Sequence, residues 1–339
     1  MQQLCWVVIG SWGVVAACGT SDGEAGDADG ETAAEAEADG VADEAAEEGD
    51  DDGVSDDALA EADDGAVGDV PAGCPRPGDP GAGDHLREMD FGGRTRTWRV
   101  HVPPGYDPAN PTALILNLHG YTSNGAQQVF FSNMNPTADA RGFIVVYPDG
   151  YENSWNAGAC CGLAASEGID DVAFLVALVD EVAALLCIDR ERVFAAGMSN
   201  GGYMSYRLAC EAADVFAGFA PVAGGLGIAA CVPSRPVPLI AYHGLDDSMV
   251  PYSMGDSSFR EYARLSGCTG DPVRTLYDDS TCDIYETCDG GIRVGLCSLV
   301  GMDHCWPGGE APRTICETFI GSYSADLNAN EHMWEFFGG

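Results

Sequence analysis

Three short stretches of this chain carry residues able to cooperate in nucleophilic chemistry. "AAGMSNGGYMS" contains Gly197-Met198-Ser199-Asn200-Gly201, a G-x-S-x-G pattern. Such a pattern does chemistry only between a strand and a helix, where small residues at both ends let a sharp turn lift the serine above the strand end. A helix starting at Asn200 would then aim backbone N–H groups and the positive end of its dipole at any oxyanion nearby. A serine needs a base, and the base needs an orienting carboxylate. "GMDHCWPGG" offers His304 beside Asp303, Cys305 and Trp306, and "YHGLDDSMVPY" offers Asp246 and Asp247. Taken alone, the quartet around His304 fits a triad base, a thiol–imidazole pair, a metal ligand or a tight turn. The choice rests on what surrounds it.

The elements that must position these residues alternate between strands and helices. Strands are predicted at 97–102, 113–120, 142–150, 192–199, 216–224, 237–244 and 291–301, from period-two alternation or short buried apolar runs. Helices are predicted at 170–187, 200–213, 257–267 and 328–339. In the first, Val172, Leu175, Val176, Val179, Val182, Ala183 and Leu186 share one face, and Asp170 and Asp171 are its start signals. Strands separated by helices imply an α/β fold, a mostly parallel sheet with helices on both faces, formed as one domain over 73–339.

Ser199 then falls at a strand-to-helix turn. In this architecture the acid and then the histidine follow the serine, each just past a strand. Asp246 and Asp247 lie past the strand 237–244, and His304 past 291–301. The remaining histidines are placed less well. His85 lies ahead of the first predicted strand, His101 within one, and His332 in the closing helix. His119 precedes the serine, and His243 ends a strand ahead of the acid loop. The loop "LHGYTSNG" (118–125) follows the second strand, where the second oxyanion donor arises. The amide of Tyr121 (or Thr122) should therefore join that of Asn200, with His119 bracing the loop.

Composition narrows the function classes. Residues 21–70 hold 21 of the 54 acidic residues and no Lys or Arg, so the formal charge of −39 becomes −18 without them. This balance argues against nucleic acid, whose phosphates need clustered cations, and against adsorption to anionic lipid. Residues 18–72 lack the apolar content to offset chain entropy and are expected to form a disordered acidic linker. Residues 1–17 read as a signal peptide with an apolar run from Leu4 to Ala17, too short for a membrane span. Val15-Ala16-Ala17-Cys18 resembles the lipobox of bacterial lipoproteins, which would make Cys18 a lipidation site and the chain secreted or lipid-anchored at the cell surface.

Fourteen cysteines fit an oxidising destination. Setting aside Cys5 and Cys18 leaves twelve, enough for six disulfides. No C-x-x-C has a partner motif of zinc-site spacing, so no metal or cofactor is expected. By position, Cys160 and Cys161 should enter two separate bridges, one of them to Cys187. Pairings of Cys210 with Cys231, Cys268 with Cys282 and Cys288 with Cys297 are also expected.

"NLHGYTSNG", "YPDGYENSWNAGACCG", "GIDDVAFL", "CIDRERVFAAGMSNGGYMSYRLACE", "APVAGG", "HGLDDSMVPY" and "GMDHCWPGG" together resemble, in order over about residues 90–337, the secreted polyhydroxybutyrate depolymerases and feruloyl or acetylxylan esterases of carbohydrate esterase family one. The resemblance implies an α/β-hydrolase fold with Ser199 as nucleophile. The family's H-G-x-x-D-x-x-V-P-Y pattern puts the triad acid on Asp247, and its G-H-x-W-P-G pattern puts the base on His304. Two positions depart from it: Asp303 stands where Gly is usual, and Cys305 where Thr or Ala is frequent. Cys305 extends the disulfide framework, with Cys316 as its expected partner. Trp155 and Trp306 are implied to face substrate. The expected function is a monomeric secreted serine esterase acting through an acyl-enzyme, its substrate a feruloyl or acetyl ester on plant polysaccharide or a hydroxyalkanoate polyester. A peptidase or acyltransferase on the same fold, or a catalytically silent surface binding protein, is the alternative.

Overall fold

The computed structural model describes residue 74, residues 80–308 and 310–338, and the backbone of 5–10 and 13–18. The chain divides into two compact units, Met1–Asp69 and Val70–Gly339. In the first, strands β1 (Cys5–Gly10) and β2 (Gly13–Cys18) pair antiparallel. The expected signal segment is described only through these two backbones. The Cys18 side chain, with its expected lipid, and the acidic linker that follows lie outside the described residues.

The second unit opens with β3 (Gly83–Phe91), β4 (Arg94–Val102), β5 (Thr112–Leu118), α1 (Gly125–Ser132), α2 (Asn135–Arg141) and β6 (Ile144–Pro148). Next come α3 (Gly162–Ser166), α4 (Asp171–Leu185), β7 (Ile188–Met198), α5 (Asn200–Glu211), β8 (Gly218–Val222) and β9 (Leu239–Gly244). The chain closes with α6 (Tyr252–Leu265), β10 (Val273–Tyr277), β11 (Ser280–Tyr285), β12 (Val294–Leu299), α7 (Glu310–Phe319) and α8 (Ala329–Phe336).

Ten strands form one sheet in the order β10-β11-β12-β9-β8-β7-β5-β6-β4-β3. The six from β12 to β6 are parallel, and antiparallel pairs close both edges. The central strands are apolar because both faces are covered. On β5, Leu114, Leu116 and Leu118 join the layer that includes Phe174 and Leu178 of α4, Met204 of α5 and Phe259 of α6. Ala113 and Ile115 of the same strand join the opposite layer with Ala138 of α2 and Met333 of α8. This is the α/β-hydrolase arrangement, with helices on both faces. Asp170 starts α4 as expected, its side chain accepting from the Ala173 N–H at 3.0 Å.

Several elements depart from the sequence expectation. β3 precedes the first predicted strand and contains His85; its residues alternate between exposed and half-buried because it forms the sheet edge. The hairpin β10–β11 covers the other edge, and four of the five residues of β10 are exposed. Six disulfides are present among the described residues. Cys210–Cys231 and Cys305–Cys316 are as expected. Cys160 and Cys161 bond to each other rather than entering two bridges, and Cys187 pairs with Cys74. Cys282 pairs with Cys297 because the antiparallel register of β11 and β12 sets them opposite each other, which leaves Cys268 to Cys288. No helix among the described residues is long and apolar enough to cross a membrane.

Candidate active site

Strands β7, β9 and β12 run parallel, so their C-terminal ends share one edge of the sheet. Ser199 is the first residue past β7, Asp247 the third past β9 and His304 the fifth past β12. Ser199 has φ 55° and ψ −118°, a region costly for a residue with a side chain. Its N–H donates to the Val222 carbonyl at 2.9 Å, which holds the turn. The flanking glycines are required sterically. A Cβ on Gly197 would press on the Gly201 carbonyl, and one on Gly201 would overlap the carbonyl oxygens of Leu118 and His119.

His304 and Asp247 are joined directly: His304 Nδ1 lies 2.8 Å from Asp247 Oδ2 and 3.0 Å from Oδ1. Asp247 Oδ1 also accepts the N–H groups of Met249 at 3.0 Å and Val250 at 2.7 Å. His243 contributes a further contact, its Nε2 2.8 Å from the Val250 carbonyl and 3.4 Å from Asp247 Oδ2. Burial pushes the Asp247 carboxyl up, but hydrogen bonding from His243 and His304 outweighs it and holds the group well below the usual carboxylate range. An ionised Asp247 keeps the proton of His304 on Nδ1 and leaves Nε2 as the acceptor. Asp246 is exposed, and its N–H donates to Met302. Among the described residues no hydrogen bond joins Ser199 Oγ to His304, whose Nδ1 is engaged by Asp247; hydrogen bonds of this kind often tighten only with substrate.

The loop expected to supply an oxyanion donor is braced by His119, Trp155 and Asn200. His119 Nε2 accepts the Gly150 N–H at 2.8 Å, so Nδ1 carries the proton and donates to the Gly120 carbonyl at 2.7 Å. Burial lowers this imidazole to about 4, so it stays neutral and braces the loop. A Cβ on Gly120 would stand 3.3 Å from Ser199 Cβ, so that loop lies directly on the nucleophile. The Thr122 N–H, the other donor expected of this loop, is taken up by the Asn153 carbonyl at 2.9 Å. Asn200 opens α5, where a backbone N–H has no acceptor within the helix.

The Asn200 side chain, missed in the sequence, is fully buried. Its Oδ1 accepts the Trp155 N–H at 2.7 Å, and its Nδ2 donates to the Trp155 carbonyl at 3.0 Å. Trp155 is 0 % exposed and donates Nε1–H to the His119 carbonyl at 2.9 Å. Trp306 is 1 % exposed and donates to Asn330 Oδ1 at 2.9 Å. Neither indole reaches solvent, and each holds its loop through its Nε1–H. Among the described residues, Cys282, Cys297 and His332 come within reach of one another as a metal set would, but the two sulfurs are joined to each other and one imidazole remains.

Known proteins resemble this chain over much of its length. The family model for "Esterase PHB depolymerase" matches residues 97–230, a span holding Ser199 and the Tyr121 loop. Feruloyl esterase B of Piromyces equi is 33 % identical over 60 % of this chain, which spans 42 % of that longer protein. The putative esterase NocK of Nocardia uniformis subsp. tsuyamanensis is 32 % identical, covering 67 % of this chain and 75 % of its own. Feruloyl esterase C of Emericella nidulans is 31 % identical over 62 % of this chain and 82 % of its own. An acetyl xylan esterase from Aspergillus awamori shares the fold at TM-score 0.55 and 15 % identity, covering 75 % of this chain and 99 % of that one. The chain belongs to the esterases of polyhydroxybutyrate-depolymerase and feruloyl-esterase type, and it has the α/β-hydrolase fold.

Proposed function

We propose that Ser199, His304 and Asp247 hydrolyse a carboxylic ester through an acyl-enzyme. Ser199 Oγ attacks the ester carbonyl carbon while His304 Nε2 takes its proton. The Tyr121 and Asn200 amides receive the oxyanion of the tetrahedral intermediate. His304 returns the proton to the departing alkoxide, the C–O bond breaks, and the acyl group remains on Ser199. A water, deprotonated by the same nitrogen, then attacks and frees the acid. Asp247 stays ionised throughout and stabilises the imidazolium.

The observation that carries this reading is the 2.8 Å bond between His304 Nδ1 and Asp247 Oδ2, formed at the sheet edge where Ser199 sits in its left-handed turn. Ser199→Ala should abolish hydrolysis of p-nitrophenyl acyl esters and labelling by a fluorophosphonate; retained turnover would overturn the assignment. For the substrate we favour feruloyl or acetyl esters on polysaccharide, because the relatives above are named as feruloyl esterases. Turnover of methyl ferulate and acetylated xylan, set beside polyhydroxybutyrate film, tests this, and activity on the film alone would reverse the order. The six disulfides support action in an oxidising, extracellular location.

A further inference from the structure

Asp303 is one of the two positions at which the sequence departs from the motif it otherwise resembles, directly before His304. Its Oδ1 accepts three hydrogen bonds: from Ser248 N–H at 2.9 Å, from Ser248 Oγ–H at 2.9 Å and from His304 N–H at 2.7 Å. Ser248 follows Asp247, and Asp303 precedes His304. The Ser248–Asp303 bonds are therefore a second rung beside the Asp247–His304 bond, and the two rungs close a ring across loops 55 residues apart. The rest of Asp303 is held as firmly. Its N–H donates to the Ser322 carbonyl at 2.9 Å, and its Oδ2 lies where a Cβ on Gly321 would be, so that position accepts only glycine while the carboxylate stays in place.

We propose that Asp303 is a positioning residue for the esterase reaction, a clamp that sets the acid loop against the base loop and aligns His304 with Asp247. The inference rests on the triad reading above. His304 sits on a loop, and its useful direction depends on a hydrogen bond from a residue on another loop. A second bond between the neighbouring residues removes the sliding motion that the first alone permits. Asp303 acts here through its acceptor oxygen and its shape rather than through charge.

The test is a set of variants assayed for kcat and KM on a soluble p-nitrophenyl ester, with melting temperature recorded alongside. Asp303→Ala is expected to lower kcat by about tenfold to a hundredfold while KM stays within about twofold, since a small misplacement of a catalytic group costs rate rather than affinity. Asp303→Asn keeps an Oδ1 able to accept the same three bonds, and is expected to retain kcat within about twofold. Gly321→Ala displaces the carboxylate without touching Asp303, so it should lower kcat alone and do nothing further in the Asp303→Ala background. If Asp303→Ala does not fold, Asp303→Asn and Gly321→Ala still give the readout. Wild-type kcat with only a lower melting temperature in Asp303→Ala would overturn the clamp. So would an Asp303→Asn loss as deep as that of Asp303→Ala, which would assign the effect to charge. These failures are separate from failure of the triad itself, which shows as turnover surviving Ser199→Ala.

Discussion

In the proposed site, the Ser199 turn as nucleophile side and the Asp247–His304 pair as acid–base side are built by different means. The turn at Ser199 is made from five consecutive residues, and its main requirement is the absence of atoms. Gly197 and Gly201 let the backbone pass where any Cβ would meet a carbonyl, and Ser199 holds a positive φ that local sterics disfavour. The acid–base side joins residues 57 apart in sequence through side-chain bonds. His304 is bound to Asp247, Asp303 ties Ser248 to His304, and the Cys305–Cys316 bridge secures the base loop to α7. Several overlapping bonds hold that side, so losing one should shift alignment before it costs the fold. The nucleophile side has no such redundancy, and an added methyl should break it outright.

The largest effect expected is on the pair that gives the acid–base side its chemistry. Asp247→Asn should lower kcat about ten-thousandfold, because an amide no longer fixes the tautomer or stabilises the imidazolium. Asp246→Asn, at an exposed residue, should leave kcat within about twofold. Steady-state kinetics on one ester compares the two, and equal losses would defeat the assignment of the acid. Next comes Gly201→Ala, whose Cβ would overlap backbone oxygens that cannot turn aside. A loss of about 3 kcal/mol in urea unfolding is expected, with fluorophosphonate labelling lost as well. A Gly201→Ala protein of unchanged stability would show that the contrast between the two sides is misdrawn.

Opening the Cys305–Cys316 bridge by paired Ser substitutions should be milder. Closing so short a loop contributes about 3 kcal/mol in the chain-entropy account. The folded base loop also keeps the Asp303 N–H bond to Ser322 and the bonds of Asp303 Oδ1. Unfolding midpoint should therefore fall while kcat stays within about threefold, since the alignment is held by side-chain bonds on the site side of the loop. A large loss of kcat with stability retained would move the positioning role from Asp303 to the disulfide.

The same contrast explains what the sequence disclosed. The turn was legible because its constraint is local: G-x-S-x-G between an apolar strand and a helix has few other uses. The central strands were legible because runs such as 113–118 and 144–148 are mostly apolar and buried on both faces. Chain order and strand ends pointed to His304 and to the pair Asp246 and Asp247, and the resemblance chose Asp247 between them. What holds them could not. The Ser248–Asp303 bonds and the Cys74–Cys187 bridge join residues 55 and 113 positions apart, and neither leaves a periodic trace. Cys282 and Cys297 are paired by strand register, which a reading by proximity misassigned. The edge strands β3 and β10 were missed because edges are half polar. Trp155 and Trp306 lie in motif-bearing loops yet are buried, because their N–H groups hold those loops from inside.

The smallest effect is one of acid stability, and it divides between the two sides. His119 lies under the oxyanion loop. His332, on α8, packs against β9, the strand that leads to Asp247, with Nδ1 2.8 Å from Tyr242 OH and Tyr277 edge-on at 5.4 Å. Burial lowers each to about 4, with Arg293 adding to the effect at His332. In the unfolded chain a histidine takes up a proton near pH 6.5, whereas in the fold these two resist until about pH 4. The unfolded state therefore binds more protons in that window, and stability, complete above the unfolded value, is lost as pH falls towards the folded one. Replacing His332 with Asn should remove about 1–2 kcal/mol from the loss seen between pH 7 and pH 5, while the share carried by His119 remains. Urea midpoints at those two pH values measure it. A slope unchanged by His332→Asn would mean that the acid–base side carries no such proton linkage, and that acid acts first on the loop over Ser199.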